Sequence, residues 1–229
     1  MEKKVYRHEF KYLISSAHIP VLLYRIHGLM GLDPHVGENG RYQIRSLYFD
    51  DHDNSCFYDN ENGTDHRSKY RMRIYNGSDA RISLERKRSE HGMKQKEICA
   101  ITRDQAERFL RGVYLRDAAV QEKKLQRLTV PMAAGGLRPV VIVDYTRIPY
   151  VYKEGNVRIT FDTGISSSNA LGSFFDPEIP RRPVMPAGTE LLEVKYDAYL
   201  PDEIRMALQL DELQYTAFSK YYFCRKLTL

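Results

Sequence analysis

The sequence predicts an α+β protein built on a large antiparallel sheet, closed into a β-barrel with a polar interior and flanked by peripheral helices. Three observations lead there. The run Lys69-Tyr70-Arg71-Met72-Arg73-Ile74-Tyr75 alternates basic and apolar residues with the period of a strand. The same alternation recurs along the chain, with Lys, Arg and a few Glu gathered on one face each time. Consecutive runs are separated by turn-forming stretches, Asn76-Gly77-Ser78-Asp79 and Glu90-His91-Gly92, suited to hairpins.

The elements follow in order. Residues 4–13 alternate, with Tyr6, His8, Phe10 and Tyr12 on one face and Arg7, Glu9 and Lys11 on the other. Ser15 or Ser16 is placed to cap a helix over 16–30, whose Ile19, Leu22, Leu23, Ile26 and Met30 form an apolar stripe. Gly31-Leu32-Asp33-Pro34 stops it. A strand over 41–50 ends at Tyr48-Phe49-Asp50-Asp51, and 52–64 is a loop with room for one helical turn. Asp50 and Asp51, ending a strand before a loop, read as turn or capping groups. Strands follow at 67–76, 80–89 and 92–100. Thr102 with Gln105 forms a capping box that opens a helix to 112. Residues 116–137 are less regular, with a second helix ending near Pro131. Strands resume at 138–153, bent near Pro149, and at 156–163. The Ser-, Gly- and Pro-rich stretch 164–188 reads as a long surface loop. A last strand covers 189–198, Pro201 suits the first turn of a helix over 201–211, and a terminal helix spans 216–227.

A chain of 229 residues with 42% hydrophobic and 28% charged residues is read as one domain, 1–229. The net charge of +5 is moderate, so the placement of charge matters more than its total. The 17 Tyr and absence of Trp suit half-buried strands. Cys56, Cys99 and Cys224 are scattered and show no metal-ligand spacing, which fits a reducing compartment. No stretch approaches the roughly 20 apolar residues of a membrane span, and the start has no secretion-signal pattern. A cytoplasmic protein is expected, reaching a membrane only through a partner.

The charged strand faces gather the candidate site. They offer Glu9 and Lys11; Lys69, Arg71 and Arg73; Glu85 and Lys87; Lys94 and Lys96; Arg147; Arg158, Thr160 and Asp162; and Glu193 and Lys195. For any one strand, a solvated face with weak surface pairs is the ordinary explanation. Jointly that weakens, because an outer face needs no preference for Arg and Lys at aligned positions. Cations crowded inside a barrel repel strongly at reduced dielectric. They become tolerable when an anion of high charge density fills the space, and polyphosphate meets that requirement.

Eight short motifs in order carry a resemblance: Arg7-His8-Glu9-Phe10-Lys11-Tyr12, Tyr48-Phe49-Asp50, Lys69-Tyr70-Arg71-Met72-Arg73, Leu84-Glu85-Arg86-Lys87, Asp144-Tyr145-Thr146-Arg147, Arg158-Ile159-Thr160-Phe161-Asp162, Leu192-Glu193-Val194-Lys195-Tyr196 and Ser219-Lys220-Tyr221. Over residues 4–225 the chain resembles the VTC domain, the catalytic module of vacuolar transporter chaperone polyphosphate polymerases. That domain belongs to the triphosphate tunnel metalloenzymes, which include the CYTH phosphatases. The resemblance implies a tunnel of about eight antiparallel strands that grips a triphosphate or polyphosphate chain, and a divalent Mn²⁺ or Mg²⁺ ion. Carried over by motif, Lys11, Arg71, Arg73, Lys87, Arg147, Arg158 and Lys220 would hold phosphate and serve catalysis with Glu193. Lys69, Lys94, Lys96, Lys195 and Ser219 would complete the phosphate contacts. Glu193 would be the main metal carboxylate, with Glu9 and Glu85 as helpers. The superfamily signature is Glu-x-Glu-x-Lys; here Arg7 replaces the first Glu, which fits the polymerase branch better than the hydrolytic one.

The reaction so implied is transfer of the ATP γ-phosphate to inorganic polyphosphate, with a triphosphatase as the alternative and a membrane protein outside this chain as a partner. A non-catalytic polyanion or nucleic-acid binder is the rival from another class. Nucleic acid is not expected, because Tyr and Phe lie mainly on faces opposite the Arg and Lys, and the basic faces also carry Glu.

Overall fold

The computed structural model describes residues 8–90, 93–115 and 122–229. The first residues of the expected 4–13 strand with Arg7, the turn residues His91 and Gly92, the start of the 116–137 segment and the side chain of Lys94 lie outside the described residues.

Along the chain run β1 (His8–Ser15), α1 (His18–His27), β2 (Gly31–Leu32), β3 (Tyr42–Asp50), α2 (Ser55–Glu61), β4 (Arg67–Tyr75), β5 (Ser78–Glu90) and β6 (Met93–Ile101). Then come α3 (Arg103–Leu110), α4 (Lys123–Ala134), β7 (Arg138–Tyr152), β8 (Val157–Ser168), β9 (Arg182–Pro183), β10 (Thr189–Tyr196), α5 (Asp202–Ala207) and α6 (Lys220–Lys226). The result is a mixed α+β fold on a large antiparallel sheet. Its strands are hydrogen-bonded in the order β1-β10-β8-β7-β3-β4-β5-β6, with β2 on β7 and β9 on β8. The order ends at β1 and β6, so backbone hydrogen bonds between the described strands do not close it. Among the described residues no helix is long and apolar enough to cross a membrane.

The chain divides into two compact units, each assembled from three stretches. The first comprises residues 1–43, 145–165 and 185–218. Its core takes Tyr12 and Ile14 from β1, Ile159 and Phe161 from β8, and Leu192 and Val194 from β10. Helix α1 covers them with Ile19, Leu22 and Ile26, and α5 adds Ile204. Burying each such aliphatic side chain contributes about 2 kcal/mol, which holds α1 in place. The helix starts later than expected. Neither Ser15 nor Ser16 caps it; the Ser15 hydroxyl accepts from the Ala17 N–H, and Ser16 Oγ donates to Glu190.

The second unit comprises residues 44–144, 166–184 and 219–229. Leu47 and Phe49 of β3, Tyr70, Met72 and Ile74 of β4, and Ile82 and Leu84 of β5 form its apolar face, which α3 and α4 cover with Phe109, Leu125 and Leu128. The Thr102 capping box is present: Gln105 N donates to Thr102 Oγ1 at 3.2 Å, and Thr102 N donates to Gln105 Oε1 at 2.9 Å. Helix α4 runs past Pro131 to Ala134. Proline there forfeits one backbone bond in the last turn, while Leu128 and Met132 remain buried on either side.

Two readings of the sequence need correction. The loop expected at 164–188 begins as strand: β8 continues to Ser168, because Ser166 Oγ donates to the Asp144 carbonyl at 3.1 Å and Ser167 Oγ to the Cys224 carbonyl at 3.0 Å. A serine run is strand-compatible when its hydroxyls find backbone acceptors. The helix expected over 201–211 ends at Ala207, where the chain turns through Gln209 at φ 49° before a 3-10 turn.

Candidate functional site

Strand alternation decides which side chains meet. In the first unit, with Tyr12, Ile159, Phe161, Leu192 and Val194 committed to the core, the opposite face presents Glu9 and Lys11, Arg158, Thr160 and Asp162, and Glu193 and Lys195. The register sets Glu9 opposite Lys195, Lys11 opposite Glu193, Thr160 opposite Glu193 and Arg158 opposite Lys195. Residues paired this way lie on one face within contact distance.

These groups form a chain of charge pairs. Lys195 Nζ lies 2.8 Å from Glu193 Oε2 and 3.8 Å from Glu9 Oε1. Lys11 Nζ lies 3.6 Å from Glu9 Oε1 and donates to the Phe218 carbonyl at 2.7 Å. Arg147 grips Asp162 with two parallel bonds of 2.6 and 2.7 Å, and its Nη2 is 3.7 Å from Glu193. Burial disfavours the Arg147 cation, but the Asp162 carboxylate outweighs this and raises its pKa well above the ordinary value. Arg158 Nη2 reaches Asp33 at 2.9 Å and the Tyr42 hydroxyl at 3.1 Å. Burial would raise the Asp33 carboxyl, yet two hydrogen bonds from His35 and the Arg158 charge hold it below its usual value.

In the second unit the face opposite the core carries Ser46 and Tyr48 of β3, Lys69, Arg71 and Arg73 of β4, Ser83, Glu85 and Lys87 of β5, and Lys96 of β6. The register places Arg71 opposite Glu85 and aligns Lys69, Lys87 and Lys96 across three strands. Glu85 is the hub. Arg71 donates to Glu85 Oε2 from Nε at 2.7 Å and lies 2.6 Å away through Nη2; Lys96 approaches at 3.1 Å and Arg73 at 3.9 Å. Arg71 also donates to the Tyr48 hydroxyl and Arg73 to Ser46 Oγ, both at 3.1 Å. The Glu85 side chain is 4% exposed. Burial alone would raise its pKa, but Arg71, Arg73 and Lys96 hold it far below the carboxylate range. Burial and the Arg71 charge push the Lys96 ammonium down to about 8.

Ser219 and Lys220 open α6. The Ser219 hydroxyl accepts from the Tyr222 N–H and lies 3.4 Å from Lys69 Nζ, which also donates to Asn60. Asp50 acts as a cap: it accepts from the Cys56 and Phe57 N–H groups of α2 at 2.9 and 3.1 Å, and from the Tyr221 hydroxyl. The expected residues therefore gather in two places. Glu9, Lys11, Arg147, Arg158, Glu193 and Lys195 belong to the first unit. Lys69, Arg71, Arg73, Glu85, Lys87, Lys96, Ser219 and Lys220 belong to the second.

Sequence reasoning left several supporting roles unassigned. Asp162 stands in the Arg158-Thr160-Asp162 alternation and could have been named as the Arg147 partner. Asp33 sits in a segment read as a helix stop, and nothing local marks it as the Arg158 partner. Tyr48 stands in one of the eight motifs and Tyr42 within the 41–50 strand, and each lends its hydroxyl to an arginine, Arg71 and Arg158 respectively.

Among the described residues no group of three or more His, Cys, Asp or Glu is placed to hold a metal ion. Glu9 and Glu193 nevertheless share Lys195, so two carboxylates already converge on one cation. Such a pair suits Mg²⁺ or Mn²⁺ when phosphate oxygens and water supply the remaining ligands. Glu85, surrounded by Arg71, Arg73 and Lys96, fits that role less well.

Strands with an apolar face under helices and an opposite face of Arg, Lys and Glu, some of them buried, define an α+β protein with a charged strand face in each unit. Its fold is similar to that of HpAC1 from Hippeastrum, described as having a dominant triphosphatase activity, at a TM-score of 0.55 and 14% identity over 97% of each chain. A protein from Pyrococcus horikoshii OT3 matches at a TM-score of 0.50 and 16% identity, over 97% of this chain and 99% of that one. No curated protein matches the chain. The VTC domain matches residues 6–229, and the chain belongs to that family.

Proposed function

We propose that this protein is a metal-dependent phosphotransferase that moves the γ-phosphate of ATP to a growing inorganic polyphosphate chain. One observation carries the reading: the aligned row Lys69, Lys87 and Lys96, beside Arg71 and Arg73, with Glu85 as the one carboxylate among them. Like charges directly opposite on neighbouring strands destabilise a sheet. A row of three running across neighbouring strands is retained at a cost that a polyanion would offset. Membership of the VTC family supports the same substrate class. The closed tunnel belongs to this reading.

In the proposed reaction a terminal phosphate oxygen of the polyphosphate attacks the γ-phosphorus of ATP. The bond from that phosphorus to the β,γ-bridging oxygen breaks, and ADP leaves with the electron pair. The attacking oxygen is already ionised at neutral pH, so no strong general base is needed. Such transfers rest on positioning and charge neutralisation. Arg71, Arg73, Arg147 and Arg158 present forked donors to phosphate oxygens, while Lys11, Lys69, Lys87, Lys96, Lys195 and Lys220 supply point charges. Arg147, held by Asp162, and Arg71, held by Glu85, are pre-aimed and lose little freedom on binding. A divalent ion held by Glu9 and Glu193 would supply further neutralisation of phosphate charge.

The test is incubation of the protein with ATP and Mn²⁺, with and without a short polyphosphate primer, following chain length on a gel. Polymer longer than the primer is expected. Phosphate release without polymer selects the triphosphatase, and binding of short RNA that survives tripolyphosphate competition selects the nucleic-acid binder.

A further inference from the structure

One group on β8 has no role in the charge pairs. Thr160 is 1% exposed, and its hydroxyl has no hydrogen-bond partner. Alternation fixes where it points: Ile159 and Phe161 are in the core, so Thr160 faces the other way, between Arg158 and Asp162 and opposite Glu193. A buried hydroxyl without a partner destabilises a fold, and valine would fill the same space without that cost. Two residues away, Arg158 Nε is likewise buried without a partner, although Nη2 of the same guanidinium is held by Asp33 and Tyr42.

Both unsatisfied groups can donate, and both lie on the face that carries Lys195 and Arg147. The nearest carboxylates on that face are turned elsewhere, Glu193 to Lys195 and Asp162 to Arg147. A phosphate oxygen accepts from both an O–H and an N–H, and its negative charge suits a place beside these cations. We propose that the Thr160 hydroxyl donates a hydrogen bond to a phosphate oxygen of the bound substrate, with Arg158 Nε as a second donor on the same strand face. This rests on the phosphate-binding reading above. Thr160 is then a substrate contact.

The experiment uses the full chain and sodium tripolyphosphate without metal, with affinity from calorimetry and stability from thermal melting. Thr160→Val is expected to melt at or above the wild-type temperature, because it removes an unsatisfied group, and to bind tripolyphosphate about tenfold more weakly, as loss of a hydrogen bond to a charged group does. Thr160→Ser keeps the hydroxyl and is expected to bind within about threefold of wild type. Equal affinity in wild type and Thr160→Val overturns the proposal, as does an equal loss in the serine variant. Should the valine variant not fold, Thr160→Ala replaces it: the same loss is expected, and unchanged affinity overturns the proposal. If wild type itself fails to bind tripolyphosphate, the phosphate-binding reading falls, a result distinct from any difference between the variants.

Discussion

Around Glu193 the charges are matched: Lys195 meets Glu193 and Glu9, Lys11 meets Glu9, Arg147 meets Asp162, and Arg158 meets Asp33. Around Glu85 several cations gather on one carboxylate. There Arg71, Arg73 and Lys96 share one carboxylate, and Lys69 and Lys87 complete the cationic row. Both regions are built the same way, from alternating strands with one face sealed by helices. The difference is the number of Asp and Glu placed among the cations. A matched face holds its geometry through its own ion pairs. A face where several cations share one carboxylate is the one whose repulsion an anion would relieve.

The largest contrast is expected between Glu193→Gln and Glu85→Gln. Removing the Glu193 charge should lower turnover by about a hundredfold, the scale of a lost electrostatic group in a catalytic site. Its cations keep other partners, Arg147 on Asp162 and Lys195 on Glu9, so melting should change little. Removing the Glu85 charge leaves Arg71, Arg73 and Lys96 without their common partner, at a cost of about 3 kcal/mol. Tripolyphosphate should then raise the melting temperature of Glu85→Gln more than that of wild type. Equal thermal shifts in the two proteins would erase the distinction between the matched face and the one where cations share a single carboxylate.

The strand faces were legible because alternation is local: Arg71, Arg73, Glu85, Arg158, Glu193 and Lys195 could each be assigned a side from their two neighbours. The capping box at Thr102 was legible for the same reason. Pairings across the sequence were not. Nothing near Asp33 announces Arg158, and nothing near Asp144 announces Arg45, a residue 1% exposed that donates to Asp144 at 2.9 Å and to the Phe174 carbonyl at 3.0 Å. The serines at 166–168 looked like loop because their acceptors, the Asp144 and Cys224 carbonyls, lie more than twenty residues away along the chain. The division into two compact units is equally non-local, since each is stitched from three separate stretches.

A smaller effect separates the two faces by pH. Burial and Arg71 lower the Lys96 pKa to about 8 in the folded chain, below its unfolded value. The folded state therefore disfavours the charged ammonium. That penalty is full below pH 8 and is relieved as pH rises from there towards the unfolded pKa, where the unfolded chain still binds the proton. Phosphate affinity should move the other way, falling as pH passes through about 8 and Lys96 loses its charge. For so exposed a lysine the drop should be modest, about threefold. Lys96→Met should flatten the pH profile of tripolyphosphate binding between pH 7 and 9; an unchanged slope would put the titrating group elsewhere.

The smallest effect comes from two helix caps of the second unit. Thr102 caps α3 on the apolar side of the sheet, whereas Ser219 caps α6 and also lies 3.4 Å from Lys69 Nζ. Alanine at either position should cost about 1 kcal/mol of stability, the usual price of a lost N-cap. Only Ser219→Ala should also weaken tripolyphosphate binding, because it removes the hydroxyl that lies 3.4 Å from Lys69 Nζ while the bond to Asn60 stays. That loss should be about twofold, since the ammonium keeps its charge and merely gains rotameric freedom. Measured together, the pair separates a cap that only holds a helix from one that also aims a cation. Equal affinities in Ser219→Ala and Thr102→Ala would reduce Ser219 to a cap and remove it from the phosphate contacts.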